Sequence, residues 1–208
     1  MSTPVKKTVL LLRHGETALT SQRRFIGRTD LPLSLTGRRQ AASAARLVRR
    51  QQPQCCLCSP MRRCVETASA VLARSQPKPE ILADLREIDF GQWEKLTFEE
   101  IQQASPASID RWAKFDPAFS FPDGERLGAF VSRVRRVARQ IASRPQSSIL
   151  VITHGGVIRA LTCHFLGLPA RQYMLFDAAP ASLTMINLFD SGKGVLAGLT
   201  PCDQRTEK

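Results

Sequence analysis

Residues 9–15 read VLLLRHG and residues 149–155 read ILVITHG. Each is a short apolar run that delivers a histidine followed by a glycine, in a chain with only three histidines. A short apolar run bounded by polar residues fits a strand buried on both faces of a parallel sheet. The repetition predicts two such strands, Val9 to Leu12 and Ile149 to Ile152, each ending in an imidazole, and predicts that both imidazoles serve one site.

Strands and helices alternate around this pair. Thr36 suits an N-cap, and the Ala41, Ala42, Ala45 and Val48 that follow fall on one side of a helix. QCCLC at residues 54–58 reads as another buried strand, with a helix from about Pro60 to Ala73 behind it. From Glu125 to Ser143 the residues Leu127, Phe130, Val131, Val134, Val137, Ala138 and Ile141 mark one helical face. VIRALTCHFLG at residues 157–167 reads as a helix ended by Gly167, and SLTMINLF at residues 182–189 as a last strand. The order predicts an α/β fold, a three-layer α/β/α sandwich with a mostly parallel central sheet. Residues 93–123 break the alternation, with Trp93, Trp112, Phe115, Phe119 and Phe121 in no single period. Those aromatics need burial, so the segment reads as a helical excursion, an inserted lid within one domain spanning residues 1–208. The charged end DQRTEK reads as frayed.

The chain has 208 residues and a 43% hydrophobic composition, enough for a proper core. No apolar run is long enough to span a membrane, and MSTPVKKT leads into VLLL without a signal peptide's apolar stretch and cleavage site. A soluble, cytoplasmic protein is expected, with its six cysteines reduced. Cys55, Cys56, Cys58 and Cys64 are close in sequence, but no spaced His/Cys partner set completes a zinc site, and small buried side chains account for them better. The net charge of +12 comes from 30 Lys+Arg against 18 Asp+Glu, with many arginines on helices such as RRQAASAARLVRR. Solvated helix faces explain most of them, while a basic surface also attracts anionic substrates and binds nucleic acid non-specifically.

Ligands of open parallel sheets bind beyond the carboxyl ends of the strands. Arg13 and His14 lie at one such end, His154 at another, and Ser59, Arg62 and Arg63 follow the cysteine-rich strand. Gly15, Gly155 and Gly156 let backbone N–H groups approach a ligand, and nearby helix starts favour anions. The edge is suited to phosphate.

Six ordered segments carry a family resemblance: LLRHGET at residues 11–17, GRTDLPLSLTGRRQA at 27–41, CSPMRRCVETA at 58–68, LREIDFGQWE at 85–94, FPDGE at 121–125 and VITHGG at 151–156. Together they resemble the histidine phosphatase superfamily, the phosphoglycerate-mutase-like proteins. The resemblance implies that His14 is the nucleophile, forming a phosphohistidine that water hydrolyses. Arg13 and Arg63 would hold the phosphoryl oxygens in place of a metal, and His154 would donate to the same oxygens. Glu87 is the implied acid and base, with Asp89 a less favoured alternative. Acid duty asks a carboxyl to hold a proton at neutral pH, which phosphate charge or burial favours. Gly15, Thr20, Gly27 and Gly155 complete the implied substrate site. No metal or cofactor is implied.

Other residues have plainer readings. His164 lacks a comparable context and reads as an ordinary helix residue, Ser59 as a helix cap, and Arg28 and Thr153 as pocket wall or structure. Arg62 and Arg63 are adjacent and so point differently; the motif spacing selects Arg63. The family's aromatic residue and asparagine after RHGET are here Leu19 and Thr20, and its DGES is here DGER, placing Arg126 at the last position. The resemblance implies a metal-independent phosphomonoesterase acting on a small phosphorylated metabolite, and THGGVIRALTCHFLGLP at residues 153–169 looks most like the alpha-ribazole phosphatase branch. The expected partner is that metabolite, with no specific nucleic acid, no membrane, and a homodimer as one assembly. The alternatives are a cofactor-dependent phosphoglycerate mutase, which needs a longer insertion to retain its intermediate, and a noncatalytic basic binding module.

Overall fold

The computed structural model describes residues 4–72 and 77–201. Among them lies a six-stranded sheet in the order β3-β2-β4-β1-β5-β6, formed by β1 (Lys7–Arg13), β2 (Cys55–Cys58), β3 (Pro79–Ile81), β4 (Ser148–Thr153), β5 (Leu183–Leu188) and β6 (Gly194–Thr200). β3, β2, β4 and β1 pair in parallel, β5 runs antiparallel to β1, and β6 antiparallel to β5. The expected mostly parallel sheet is present.

The period of two along β1 builds both layers of core at once. Val9 and Leu11 point into one apolar cluster, which α5 (Leu127–Ser143) and α6 (Gly155–Leu166) cover. Leu10 and Leu12 point into the other, covered by α1 (Leu35–Arg50) and α2 (Arg62–Val71). All four side chains are fully buried, so each contributes about 2 kcal/mol of burial to a different face of one strand. That is why the run reads as continuously apolar and not as alternating.

The boundaries differ from expectation in instructive places. The N-cap of α1 is Ser34, not Thr36: Ser34 is extended, and its Oγ accepts from Gly37 N–H at 3.0 Å, while Thr36 already lies in the first turn. The buried face of α1 uses Ala41, Ala44, Ala45 and Val48, and Ala42 faces solvent. α2 starts at Arg62, after Pro60, and Ala73 lies outside the described residues. α5 begins at Leu127 because Glu125 and Arg126 are spent on the preceding loop, and α6 begins at Gly155, two residues before Val157. Gly167 ends α6 in the left-handed conformation, φ 73°, as expected of a glycine there. β5 is not the last strand, since β6 follows it across a turn at Gly192, φ 74°. The end DQRTEK lies outside the described residues.

The segment at residues 93–123 holds α3 (Phe98–Ala104), with Thr97 in a capping box with Glu100, and α4 (Pro106–Ala113), which opens on proline. Trp93, Phe119 and Phe121 are buried and join the cluster beneath α5, so the excursion is packed on the core by its aromatics.

One buried cation ties β1 to α5. Lys7 Nζ donates to the carbonyls of Ile141 at 2.9 Å, Ala142 at 3.0 Å and Arg144 at the end of α5, where only Ile141 O also accepts a backbone N–H, that of Arg144 at 3.3 Å. Lys7→Met should therefore lower unfolding free energy by about 1–2 kcal/mol in urea titration. An unchanged midpoint would mean that water serves these carbonyls equally well.

Candidate active site

β1 and β4 are paired in register, with Arg13 opposite Thr153, so the residues just beyond them meet at the same edge of the sheet. His14 N–H donates to Thr153 O at 3.0 Å, and the His14 and His154 rings stand 5.1 Å apart at 64°. The structure brings the two histidines together.

Their hydrogen bonds fix their tautomers. His14 Nδ1 lies 2.7 Å from Gly15 O, an acceptor only, so Nδ1 carries the proton and Nε2 keeps its lone pair. For His154, Arg63 Nε–H donates to Nδ1 at 3.2 Å, so Nε2 carries the proton and donates to Ser59 Oγ at 2.8 Å. Ser59 is thus a partner of His154 and not the expected helix cap, since the N-cap of α2 is Met61, with no side-chain cap bond. Both imidazoles are held well below their ordinary pKa of 6.5. For His14 burial is the main cause, followed by the charges of Arg63 and Arg13; for His154 it is burial, then Arg63. Two neutral rings stand side by side.

Arg13 NH1 donates to Ala178 O at 2.6 Å, and its buried Nε has no hydrogen-bond partner among the described residues. Its guanidinium lies 3.5 Å from where a side chain on Gly155 would start, against the first turn of α6. Arg63 is fully buried behind His154 and donates from NH1 to Thr29 O at 2.9 Å and from NH2 to Gly27 O at 2.8 Å. With Nε on His154, three of its five N–H bonds are committed to protein. Cys64 Sγ is 3.5 Å from His154 Nε2, and burial pushes its thiol up to about 12, leaving it neutral.

Glu87 is buried, 7% exposed, and its carboxylate is docked on α6: Oε2 accepts from Gly156 N–H at 2.9 Å, and Oε1 from Ile88 N–H at 3.0 Å. A Cβ on residue 156 would lie 2.6 Å from Glu87 Oε1, so any side chain there would displace the carboxylate from this position. Gly156 serves the carboxylate where the sequence suggested a ligand contact.

The remaining sequence candidates divide by placement. Gly155 and Thr20 line the cavity, Thr20 with its hydroxyl 2.8 Å from that of Thr17. Gly15 is needed for close packing, since a Cβ there would meet Gly37 O at 2.3 Å, and its N–H donates to Thr67 Oγ1 at 3.2 Å. Gly27 is spent on structure, its N–H donating to Glu94 Oε1 and its carbonyl accepting from Arg63. Thr153 Oγ1 donates to Leu85 O at 2.7 Å, and Arg28 N–H to Glu94 Oε1 at 2.8 Å. Asp89 accepts from Gly91 N–H, and Arg126 Nε–H donates to Pro117 O, so neither is part of the cavity wall. His164 lies near the far end of α6.

His14, Arg13, Glu87 and the first turn of α6 open on one cavity of about 840 Å³. Its outer wall is aromatic, from Phe25, Phe90, Trp112, Phe130 and Tyr173. The rings brace one another edge to face, Phe25 standing 5.0 Å from Phe90 and 5.6 Å from Trp112. Phe90 falls within the LREIDFGQWE segment and Trp112 within the excursion at residues 93–123, whereas Phe25 in a loop, Phe130 on α5 and Tyr173 in a 3₁₀ turn had no sequence signal tying them to the site. Among the described residues no three His, Cys, Asp or Glu side chains converge as metal ligands, and no helix is long and apolar enough to cross a membrane.

The family model for the histidine phosphatase superfamily (branch 1) matches residues 9–199. A glucosyl-3-phosphoglycerate phosphatase of Mycolicibacterium vanbaalenii is 31% identical over 175 residues, 80% of this chain and 77% of its own. The adenosylcobalamin/alpha-ribazole phosphatase of Escherichia coli is 32% identical over 168 residues, 80% of this chain and 82% of its own. The solved structure of the alpha-ribazole phosphatase from Shigella flexneri superposes with a TM-score of 0.82 at 28% identity, covering 97% of this chain and 100% of the other. The chain is a phosphatase-type member of the histidine phosphatase superfamily, branch 1.

Proposed function

We propose that this protein hydrolyses phosphomonoesters without a metal ion, through a phosphohistidine on His14 Nε2. The observation that carries the reading is the neutral, tautomer-locked His14 on the cavity wall, with its Nδ1 proton on Gly15 O and its Nε2 lone pair available. Nε2 attacks phosphorus and the ester P–O bond breaks. The imidazolium-like ring is then stabilised by its Nδ1–H bond to Gly15 O. Arg13 Nε–H meets a phosphoryl oxygen, and the two uncommitted N–H bonds of Arg63 serve others reaching the depth of His14. His154, buried off the cavity wall with its one N–H given to Ser59 and its Nδ1 accepting from Arg63, packs against the ring of His14 in place of the expected donation to the phosphoryl oxygens. Glu87 gives its proton to the departing alkoxide, then takes one from the water that cleaves the phosphohistidine, releasing inorganic phosphate.

The leaving group lies along the aromatic wall. Flat faces of Trp112, Phe25 and Tyr173 suit a nucleoside-like alcohol, and the similarity to alpha-ribazole phosphatases supports alpha-ribazole 5'-phosphate as the first substrate to test. The decisive assay follows phosphate release, with a chelator present, from alpha-ribazole 5'-phosphate, glucosyl-3-phosphoglycerate, phosphoserine and an aryl phosphate. Release should survive chelation and fall at least about 1,000-fold in His14→Ala. Equal release by both proteins would remove His14 as the nucleophile. Conversion of 3- to 2-phosphoglycerate that requires 2,3-bisphosphoglycerate would make the protein a mutase.

The depressed histidines also set the pH dependence. Because His14 is neutral well below its ordinary pKa of 6.5, kcat/KM, corrected for substrate ionisation, should hold as pH falls through 6.5 and decline only at lower pH. Stability follows the same linkage. The unfolded chain takes up protons below about 6.5 that the buried imidazoles refuse, so each histidine's contribution is complete above that pH and is lost toward acid by up to about 1.4 kcal/mol per pH unit. Denaturant titrations at neutral and mildly acid pH should show the loss, and His14→Asn should reduce it. Stability rising toward acid would contradict both neutral rings.

A further inference from the structure

The segment that carries Glu87 has almost no secondary structure of its own. After a single 3₁₀ turn at Ala83–Leu85 it runs irregularly to Phe90, yet its carbonyls are paired in sequence by side chains from elsewhere. Arg133, on α5, donates from NH1 to Asp84 O at 2.8 Å and Arg86 O at 2.7 Å, and from NH2 to Glu87 O at 3.0 Å. Thr153, at the end of β4, takes the intervening carbonyl of Leu85. Arg133 then grips Glu125 with both edges of its fork, Nε to Oε1 at 2.7 Å and NH2 to Oε2 at 2.8 Å. All five guanidinium N–H bonds are used.

Glu125 holds the other end of the same segment. Its backbone N–H donates to Asp89 O at 2.9 Å, and its Oε2 accepts from Asp89 N–H at 3.3 Å. The Arg133–Glu125 pair is buried, with side chains 7% and 13% exposed, and the guanidinium lies 4.9 Å from the Phe130 ring, itself part of the cavity wall. A planar fork whose donors are all occupied cannot rotate without breaking several bonds at once, so it fixes the backbone from which Glu87 projects.

We propose that Arg133, locked by Glu125, is the positioning residue for proton transfer by Glu87. It touches neither substrate nor the reacting phosphorus; it sets where the Glu87 carboxyl meets the leaving oxygen. The inference rests on Glu87 being the acid, and the test separates the two claims. An alkyl phosphate needs a proton on its departing alkoxide, whereas nitrophenolate leaves as a stable anion. The measurement is kcat and KM for an alkyl phosphate and for p-nitrophenyl phosphate in wild type, Glu87→Gln, Arg133→Met, Glu125→Gln and the Glu87→Gln/Arg133→Met double variant.

Glu87→Gln should lower the alkyl-to-aryl ratio of kcat by about 100-fold, the range of a lost general acid. Arg133→Met should lower the same ratio at least about 10-fold through kcat, with little change in KM, and should add nothing to it in the double variant. Glu125→Gln keeps the shape of the partner and all of the carbonyl bonds, so it should fold even where Arg133→Met does not, with a smaller shift in the same direction. If Glu87→Gln changes the ratio but the Arg133 and Glu125 variants slow both esters in parallel, their role is structural only and the proposal falls. If Glu87→Gln itself slows both esters equally, Glu87 is not the acid and the proposal falls with that reading.

Discussion

The pairing of β1 with β4 is the constraint from which the site follows. Two parallel strands in register, Arg13 against Thr153, oblige the next residue of each to emerge at the same edge, and that residue is histidine in both. The apolar side chains that hold these strands face both clusters of the core, so the strands cannot slip without turning every side chain to the opposite layer. Placement of the two imidazoles 5.1 Å apart is therefore set by the eight buried aliphatic residues Val9 to Leu12 and Ile149 to Ile152 and not by any contact between the rings.

Burial creates an electrostatic problem that the chain solves with backbone oxygens. Among the described residues Arg13 and Arg63 are held by the carbonyls of Ala178, Gly27 and Thr29, not by carboxylates. A carbonyl satisfies a donor without cancelling its charge, so both cations keep their field and depress the neighbouring imidazoles. Arg133 has the opposite arrangement. Its charge is paired with a bidentate carboxylate, and its donors hold the backbone that carries Glu87. The same residue type thus supplies charge in two places and rigidity in a third.

The sequence made the histidines legible because each lies directly beyond a run whose burial is obvious, and because strand ends map to one edge in a parallel sheet. It also placed the helical face of α5, from Leu127 to Ile141, since hydrophobic spacing is the signal that burial itself imposes. Arg133 escaped for the same reason: a charged residue between Val131 and Val134 reads as solvent-facing, and its acceptors at Asp84, Arg86 and Glu87 are far away in sequence. β3 and β6 escaped differently. β3 has three residues, two of them exposed, and β6 alternates weakly at the edge of the sheet, so neither carries an apolar pattern strong enough to read. Ser34 and Thr36 share the chemistry of a cap, and only the extended backbone at Ser34 makes it the N-cap of α1.

The basic excess divides along the same line. Arg38, Arg39, Arg46, Arg49 and Arg50 on α1, and Arg135, Arg136 and Arg139 on α5, all face solvent, as helix periodicity alone would place them. Their field decays over about 8–10 Å at physiological salt, so they can steer an anion toward the protein but cannot select one. Selection belongs to cations that water cannot screen and to walls that fit only certain alcohols. On the proposed mechanism Arg13 and Arg63 address only the phosphoryl group, which every phosphomonoester carries. Discrimination must then come from the rings that Phe25, Phe90, Trp112, Phe130 and Tyr173 bring to the cavity, of which Phe25 is braced edge to face by Phe90 and Trp112. Because Trp112 reaches that wall from α4 and is anchored through Trp93 and Phe119 to the core, the proposed mechanism lets substitutions within residues 93–123 change the accepted alcohol while leaving the phosphoryl chemistry at the ends of β1 and β4 untouched.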